Sequence, residues 1–67
     1  MQISGRNQLA GKVTGIKSGG VMSQISLDIN GQMVTSAITN DSVQTLGIKE
    51  GDQVTALIKA TDVMIMK

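Results

Sequence analysis

The sequence predicts an all-β fold in which five strands close into a small barrel, with one short helix between the third and fourth strands. Three observations carry that expectation. Residues 21–30 alternate, with Val21, Ser23, Ile25, Leu27 and Ile29 on one face and Met22, Gln24, Ser26, Asp28 and Asn30 on the other. This is the period of a half-buried strand. Asn30-Gly31 follows at once, and both residue types tolerate the positive φ of a tight hairpin. Residues 40–47 then abandon the alternation. Asn40 or Asp41 can cap a helix start, Val43 and Leu46 stand three apart, and Gly47 suits the position just past a helix end.

The elements follow in order. Gln8 to Lys17 reads as the first strand, anchored by Leu9, Val13 and Ile16, with Gly11 and Gly15 marking a bend or a close backbone approach. Ser18-Gly19-Gly20 is a turn into the second strand, residues 21–30. Gln32 to Thr39 is the return strand of the hairpin, and the short helix comes next. Ile48-Lys49-Glu50-Gly51-Asp52 is a polar turn. Gln53 to Lys59 is the fourth strand and Val63 to Met66 the fifth, joined through Ala60-Thr61-Asp62. The order β-β-β-α-β-β is that of an OB-like barrel. No linker, repeat or low-complexity segment divides the chain, so residues 1–67 are expected to form a single domain.

The chain has 67 residues, with no His, no Cys and no aromatic residue. A domain this short buries only about 60% of its unfolded surface. Small domains commonly add disulfides, a metal or oligomerisation. Without Cys and His the ordinary zinc and iron–sulfur sites fall away too, leaving oligomerisation. The last two expected strands point the same way: Leu57, Met64 and Met66 lie on a second apolar face that one small barrel cannot bury.

The net charge of +1, with Arg6, Lys12, Lys17, Lys49, Lys59 and Lys67 scattered, does not suit a general binder of nucleic acid or membrane surfaces. Single-strand binders of the OB type rely on stacking aromatics, which are absent. No apolar run approaches the roughly 20 residues of a membrane span, and the start lacks the regions of a signal peptide. A cytoplasmic location is expected.

Catalysis needs a tunable acid, base or nucleophile. Asp28, Asp41, Glu50, Asp52 and Asp62 all read as turn or cap residues, so no enzymatic activity and no cofactor are expected. Anion capture fits better, because backbone N–H groups, Ser and Thr hydroxyls and a few cations are suited to it. Three segments combine these features: Ser4 to Arg6, Thr39-Asn40-Asp41-Ser42, and Lys59-Ala60-Thr61. Each by itself also reads as an ordinary cap or turn.

Taken together, the segments resemble a known family. Ser4-Gly5-Arg6-Asn7-Gln8-Leu9 is similar to the S-A-R-N-Q-L signature of the molybdate-binding Mop domain, the molbindins. The resemblance continues through Gly11-Lys12-Val13, the strand 21–29, Ala37 to Val43 and Leu46 to Gly51, and closes with Ile58 to Ile65. It implies a five-stranded OB-like barrel assembled as a homo-hexamer, a trimer of dimers, with molybdate or tungstate held between subunits. By motif position, Ser4, Gly5, Arg6, Lys59 and Ala60 form one wall of such a site, extended by Thr61. Thr39 and Ser42 of a neighbouring copy form the other. The family also has sites on its threefold axis, for which Gly19, Gly20 and Val21 are the candidates here. Two departures stand out. Gly5 replaces the commoner Ala, and Ser18-Gly19-Gly20-Val21-Met22 differs from the usual Lys-Gly-Ala-Val-Asn.

The resemblance implies storage or homeostasis of a tetrahedral oxyanion. The competing expectation is a structural or adaptor module that uses the barrel for protein contacts.

Overall fold

The computed structural model describes residues 5–67. Ser4, the first of the expected anion-binding residues, lies outside the described residues. The elements are β1 (Asn7–Ser18), β2 (Met22–Ile29), β3 (Gln32–Thr39), α1 (Asn40–Leu46), β4 (Gln53–Ile58) and a single 3-10 turn over Ala60–Asp62. The four strands form one antiparallel sheet in the order β3-β2-β1-β4.

The alternation in β2 does what its period requires. Ser23, Ile25, Leu27 and Ile29 are buried while Met22, Gln24 and Asp28 are exposed. Val21, expected on the same inner face, instead precedes the strand and is 71% exposed. The hairpin turns through Asn30 at φ 53° and Gly31 at φ 86°, the left-handed pair that matches strand twist. Asp28 Oδ1 accepts from the Gly31 N–H at 2.8 Å and steadies the turn.

β1 is the long central strand, pairing with β2 over its second half and β4 over its first. Its two inner glycines act differently. A Cβ at Gly11 would stand 2.6 Å from Ile29 Cγ1 and 2.9 Å from the Asp28 carbonyl oxygen, so the backbones approach too closely for any side chain. Gly15 sits where the β1–β2 register slips between Val13 and Gly15, a bulge that bends the strand. The polar turn after α1 is clipped to β1 at the same place: Val13 N–H donates to the Asp52 carbonyl at 2.9 Å, and Gly51 N–H to the Val13 carbonyl at 2.8 Å.

The helix is seven residues long. Its N-cap is Thr39 rather than Asn40 or Asp41, with Ser42 N–H donating to Thr39 Oγ1 at 3.1 Å. Thr39 still has extended backbone at ψ 151°, so its side chain can reach back over the first turn, whereas Asn40 is already helical. Gly47 terminates the helix at φ 66°, as its position predicts.

Val13, Ile25, Leu27 and Ile29 form the core, with Ile16, Val34, Ile38, Val43, Ile48, Val54 and Ala56 packed around them. Four buried aliphatic side chains, at up to about 1.5–3 kcal/mol each, make a thin core for a domain of this size.

The expected closed barrel of five strands is corrected to an open sheet of four. Among the described residues Val63–Met66 pairs with nothing. After Ile58 the chain makes the 3-10 turn, and the tail then leaves the domain with Met64, Ile65 and Met66 each about nine-tenths exposed. A strand exists only beside another strand, and this tail runs along neither edge of the sheet. An open apolar groove of about 600 Å³ remains between β3 and β4, walled by Val34, Ser36, Ile38, Val54, Ala56 and Ile58.

Candidate functional site

The expected anion-binding residues fall into two groups at opposite ends of β1. At the first, β1 begins beside the end of β4: Asn7 pairs with Ile58 and Gln8 with Leu57. Asn7 Nδ2 donates to the Ile58 carbonyl at 3.2 Å, tying the segments at their tips. Gly5 continues along β4, where a Cβ would meet Leu57 Cβ at 3.3 Å. Arg6 directly precedes Asn7 and Lys59 directly follows Ile58, so the two ends of the chain bring one exposed cation each to this end of the sheet.

The 3-10 turn adds donors to this group. Asp62 N–H donates to the Lys59 carbonyl at 2.9 Å, and Val63 N–H to that of Ala60 at 3.4 Å. Lys59 occupies the turn's N-cap without a capping hydrogen bond from its side chain. The first N–H groups of a helical turn have no partner within the turn. Those of Ala60 and Thr61 follow Lys59 directly in the chain. The Thr61 hydroxyl sits in the same exposed turn.

The second group lies at the other end of β1 and across the sheet. Ser18 pairs with Ser23, and Met22 with Thr39. Thr39 Oγ1 and Ser42 Oγ are 2.8 Å apart. Two hydroxyls carry two protons, and one bridges the oxygens, which leaves one O–H to donate outward. Thr39 and Ser42 carry no charge, Asp41 stands in the first turn of α1, and Lys17 lines a shallow cavity with Ser18, Gly19, Met22 and Ser23.

Gly19, Gly20 and Val21 join this second group. Asn40 N–H donates to the Val21 carbonyl at 2.8 Å, and Asn40 Nδ2 to the Gly19 carbonyl at 3.1 Å. The sequence treats the turn and the helix start as separate candidates, and the fold makes them neighbours. Ser23 was missed altogether. It is 2% exposed and hydrogen-bonds to Asn40 Oδ1. Its signal was present: a hydroxyl on the inner face of an otherwise aliphatic strand needs a partner.

The two groups do not meet within one chain. They are separated by the length of β1 and by the full width of the sheet, from β4 to β3. Among the described residues no cluster of three or more carboxylates could hold a metal cation. No helix among them is long and apolar enough to cross a membrane.

This small open sheet with donors at both ends matches the model of the TOBE domain over residues 3–65, and the chain belongs to that family. Within it, the close relatives are molybdenum-pterin-binding proteins. The chain is 54% identical over 67 residues to molybdenum-pterin-binding protein 1 of Clostridium pasteurianum, covering 98% of each. Among solved structures it is similar to a molybdate-binding protein from Sporomusa ovata, with a TM-score of 0.96, 48% identity and full coverage of both chains. It also matches the cytoplasmic molybdate-binding protein ModG with a TM-score of 0.83 and 38% identity, over 90% of this chain and 43% of that one. These relatives are described as binding proteins, which agrees with a role in binding rather than catalysis.

Proposed function

We propose that this chain binds tetrahedral oxyanions, molybdate or tungstate, between the subunits of a homo-hexamer built as a trimer of dimers. Its role is storage or homeostasis of the anion in the cytoplasm. The observation that carries this reading is the separation of the two donor groups. One end of β1 offers Arg6, Lys59 and the turn through Ala60 and Thr61; the other offers the neutral hydroxyls of Thr39 and Ser42. Each is half of an anion site, and a second copy supplies the other half.

The chemistry of the ligand suits both halves. Molybdate near neutral pH is a dianion with four acceptor oxygens and no proton to give. It is held by N–H and O–H donors, with charge-assisted bonds from the cations the stronger. Ser4 and Gly5 complete the cationic wall in this reading, and Gly19, Gly20 and Val21 serve a further site on the threefold axis. Sulfate has the same shape and charge, so cavity size does the selecting.

The shape of the single chain supports assembly. It leaves an apolar groove open between β3 and β4, and its own tail of Val63, Met64, Ile65 and Met66 uncovered. Patches of this kind mark contact surfaces. The same relatives lend weight to molybdate as the ligand, and ModG lends weight to the cytoplasm.

Native mass spectrometry with molybdate, tungstate or sulfate in separate samples tests the proposal. The expected result is a hexamer that gains several molybdate or tungstate ions and ignores sulfate. A small oligomer that gains nothing overturns it in favour of an adaptor module whose groove takes a protein partner.

A further inference from the structure

The turn between β1 and β2 is held by very little packing. Val21 is 71% exposed, and a Cβ at Gly20 would meet nothing within 4 Å. The turn's own hydrogen bond runs from Gly19 N–H to the Met22 carbonyl at 2.8 Å. What fixes the turn against α1 is one residue of that helix, through both its side chain and its backbone. Asn40 takes hold of two carbonyls that flank Gly20: its Nδ2 donates to Gly19 and its backbone N–H to Val21.

Counting protons fixes the direction of this network. Asn40 Oδ1 carries no hydrogen, so the Ser23 hydroxyl donates to it. Ser23 has then spent its single proton, and Ser18 Oγ, 3.3 Å away, donates to Ser23 rather than accepting from it. The chain of donors runs from Ser18 through Ser23 to Asn40 and back to Gly19 in the same turn. It forms a closed circuit around a residue that is 98% buried, Ser23 being 2% exposed. The Gly19 carbonyl locks the Asn40 amide in one orientation, because a flipped amide would set its oxygen against that carbonyl, which can only accept, and Ser23 satisfies the oxygen so oriented.

We propose that Asn40 is a positioning residue. It joins the Gly19–Val21 turn to the start of α1 so that both donor segments at this end form one rigid unit, and Ser23 satisfies its amide oxygen. The consequence for ligand rests on the oxyanion reading above: loosening the turn weakens anion binding without removing any group that touches the anion. The linkage itself stands on the hydrogen bonds alone.

Amide hydrogen exchange of the intact protein, compared with Asn40→Ala and Asn40→Asp, tests it. Asn40→Asp keeps an acceptor for Ser23 and keeps the backbone N–H, but loses the donor to Gly19. In both variants the Gly19 amide should exchange roughly five- to ten-fold faster, as expected for loss of one hydrogen bond that holds a local unit. The amides of Ile25 and Leu27 in the core should stay within about two-fold of the parent rate. Gly19 exchange unchanged in both variants, or accelerated no more than that of Ile25 and Leu27, overturns the proposal. Asn40→Asp retains the buried contact, so it decides the matter even where Asn40→Ala fails to fold. In a molybdate titration the neutral Asn40→Ala variant should bind several-fold more weakly at unchanged oligomer size. If the parent protein takes up no molybdate, the oxyanion reading falls, and the exchange rates still settle whether Asn40 holds the turn.

Discussion

The two ends of β1 carry different kinds of donor, held in place by different means. At the β1–β4 end, Arg6 and Lys59 come from opposite ends of the chain, and what joins them is backbone pairing with the Asn7–Ile58 contact. The donors there are charged, exposed and long. At the β2–β3 end the donors are neutral and short, and side chains organise them: Thr39 caps α1, and Asn40 and Ser23 bind the neighbouring turn. Charge reaches further than a hydroxyl dipole but fixes no geometry. A hydrogen-bonded cluster fixes geometry but brings no net charge. A small dianion needs both, and one chain of this size holds them apart.

That contrast can be broken from outside first. If the ends combine only across subunits, disrupting assembly disables both together. Replacing Met64 and Met66 by Asp puts two charges on the uncovered tail. The expected outcome, read by native mass spectrometry, is loss of the hexamer and of all anion uptake while circular dichroism still reports the β-sheet. Retention of uptake by single chains would mean that one end suffices.

Removing charge from one end comes next in size. Lys59→Ala should weaken molybdate binding roughly ten- to hundred-fold in a calorimetric titration, the range for a hydrogen bond to a charged group. It should also sharply reduce the rise in melting temperature at saturating molybdate, since ligand that binds only the assembled form stabilises it by mass action. An undiminished rise would take Lys59 out of the site.

The neutral end gives the smallest and most divided effect. Thr39→Ala removes the cap of α1 and should cost about 1 kcal/mol in urea unfolding without ligand. It should also weaken anion binding, because Ser42 loses the oxygen that orients it. Thr39→Ser restores the hydroxyl and should restore both properties. Rescue of stability without rescue of binding would limit Thr39 to capping.

Much of this was legible in the sequence, for identifiable reasons. The β2–β3 hairpin follows from strict alternation and Asn30-Gly31, both local signals. Gly47 ends the helix because few other residues accept its left-handed backbone. The Ser-Gly-Arg-Asn-Gln-Leu segment and the Lys59-Ala60-Thr61 segment announced the family by their residues alone. Two expectations failed where the decision was not local. The apolar run Val63-Met64-Ile65-Met66 has the composition of a strand, but composition supplies no neighbour, and among the described residues none is offered. The cap fell to Thr39 because the end of β3 keeps that residue extended while Asn40 has already turned.

The sequence by itself determined the strand periods, the turn positions, the absence of His, Cys and aromatic side chains, and the kinship with molybdenum-pterin-binding proteins. All of these depend on residue type and short-range spacing. Only the tertiary structure decided that the sheet stays open, that the segments carrying Arg6 and Lys59 lie at the opposite end of β1 from Thr39 and Ser42, and that Ser23 and Asn40 bind the Gly19–Val21 turn to the helix. These juxtapositions join residues up to half a hundred positions apart, and they are set by pairing register and by where a buried hydroxyl finds its partner.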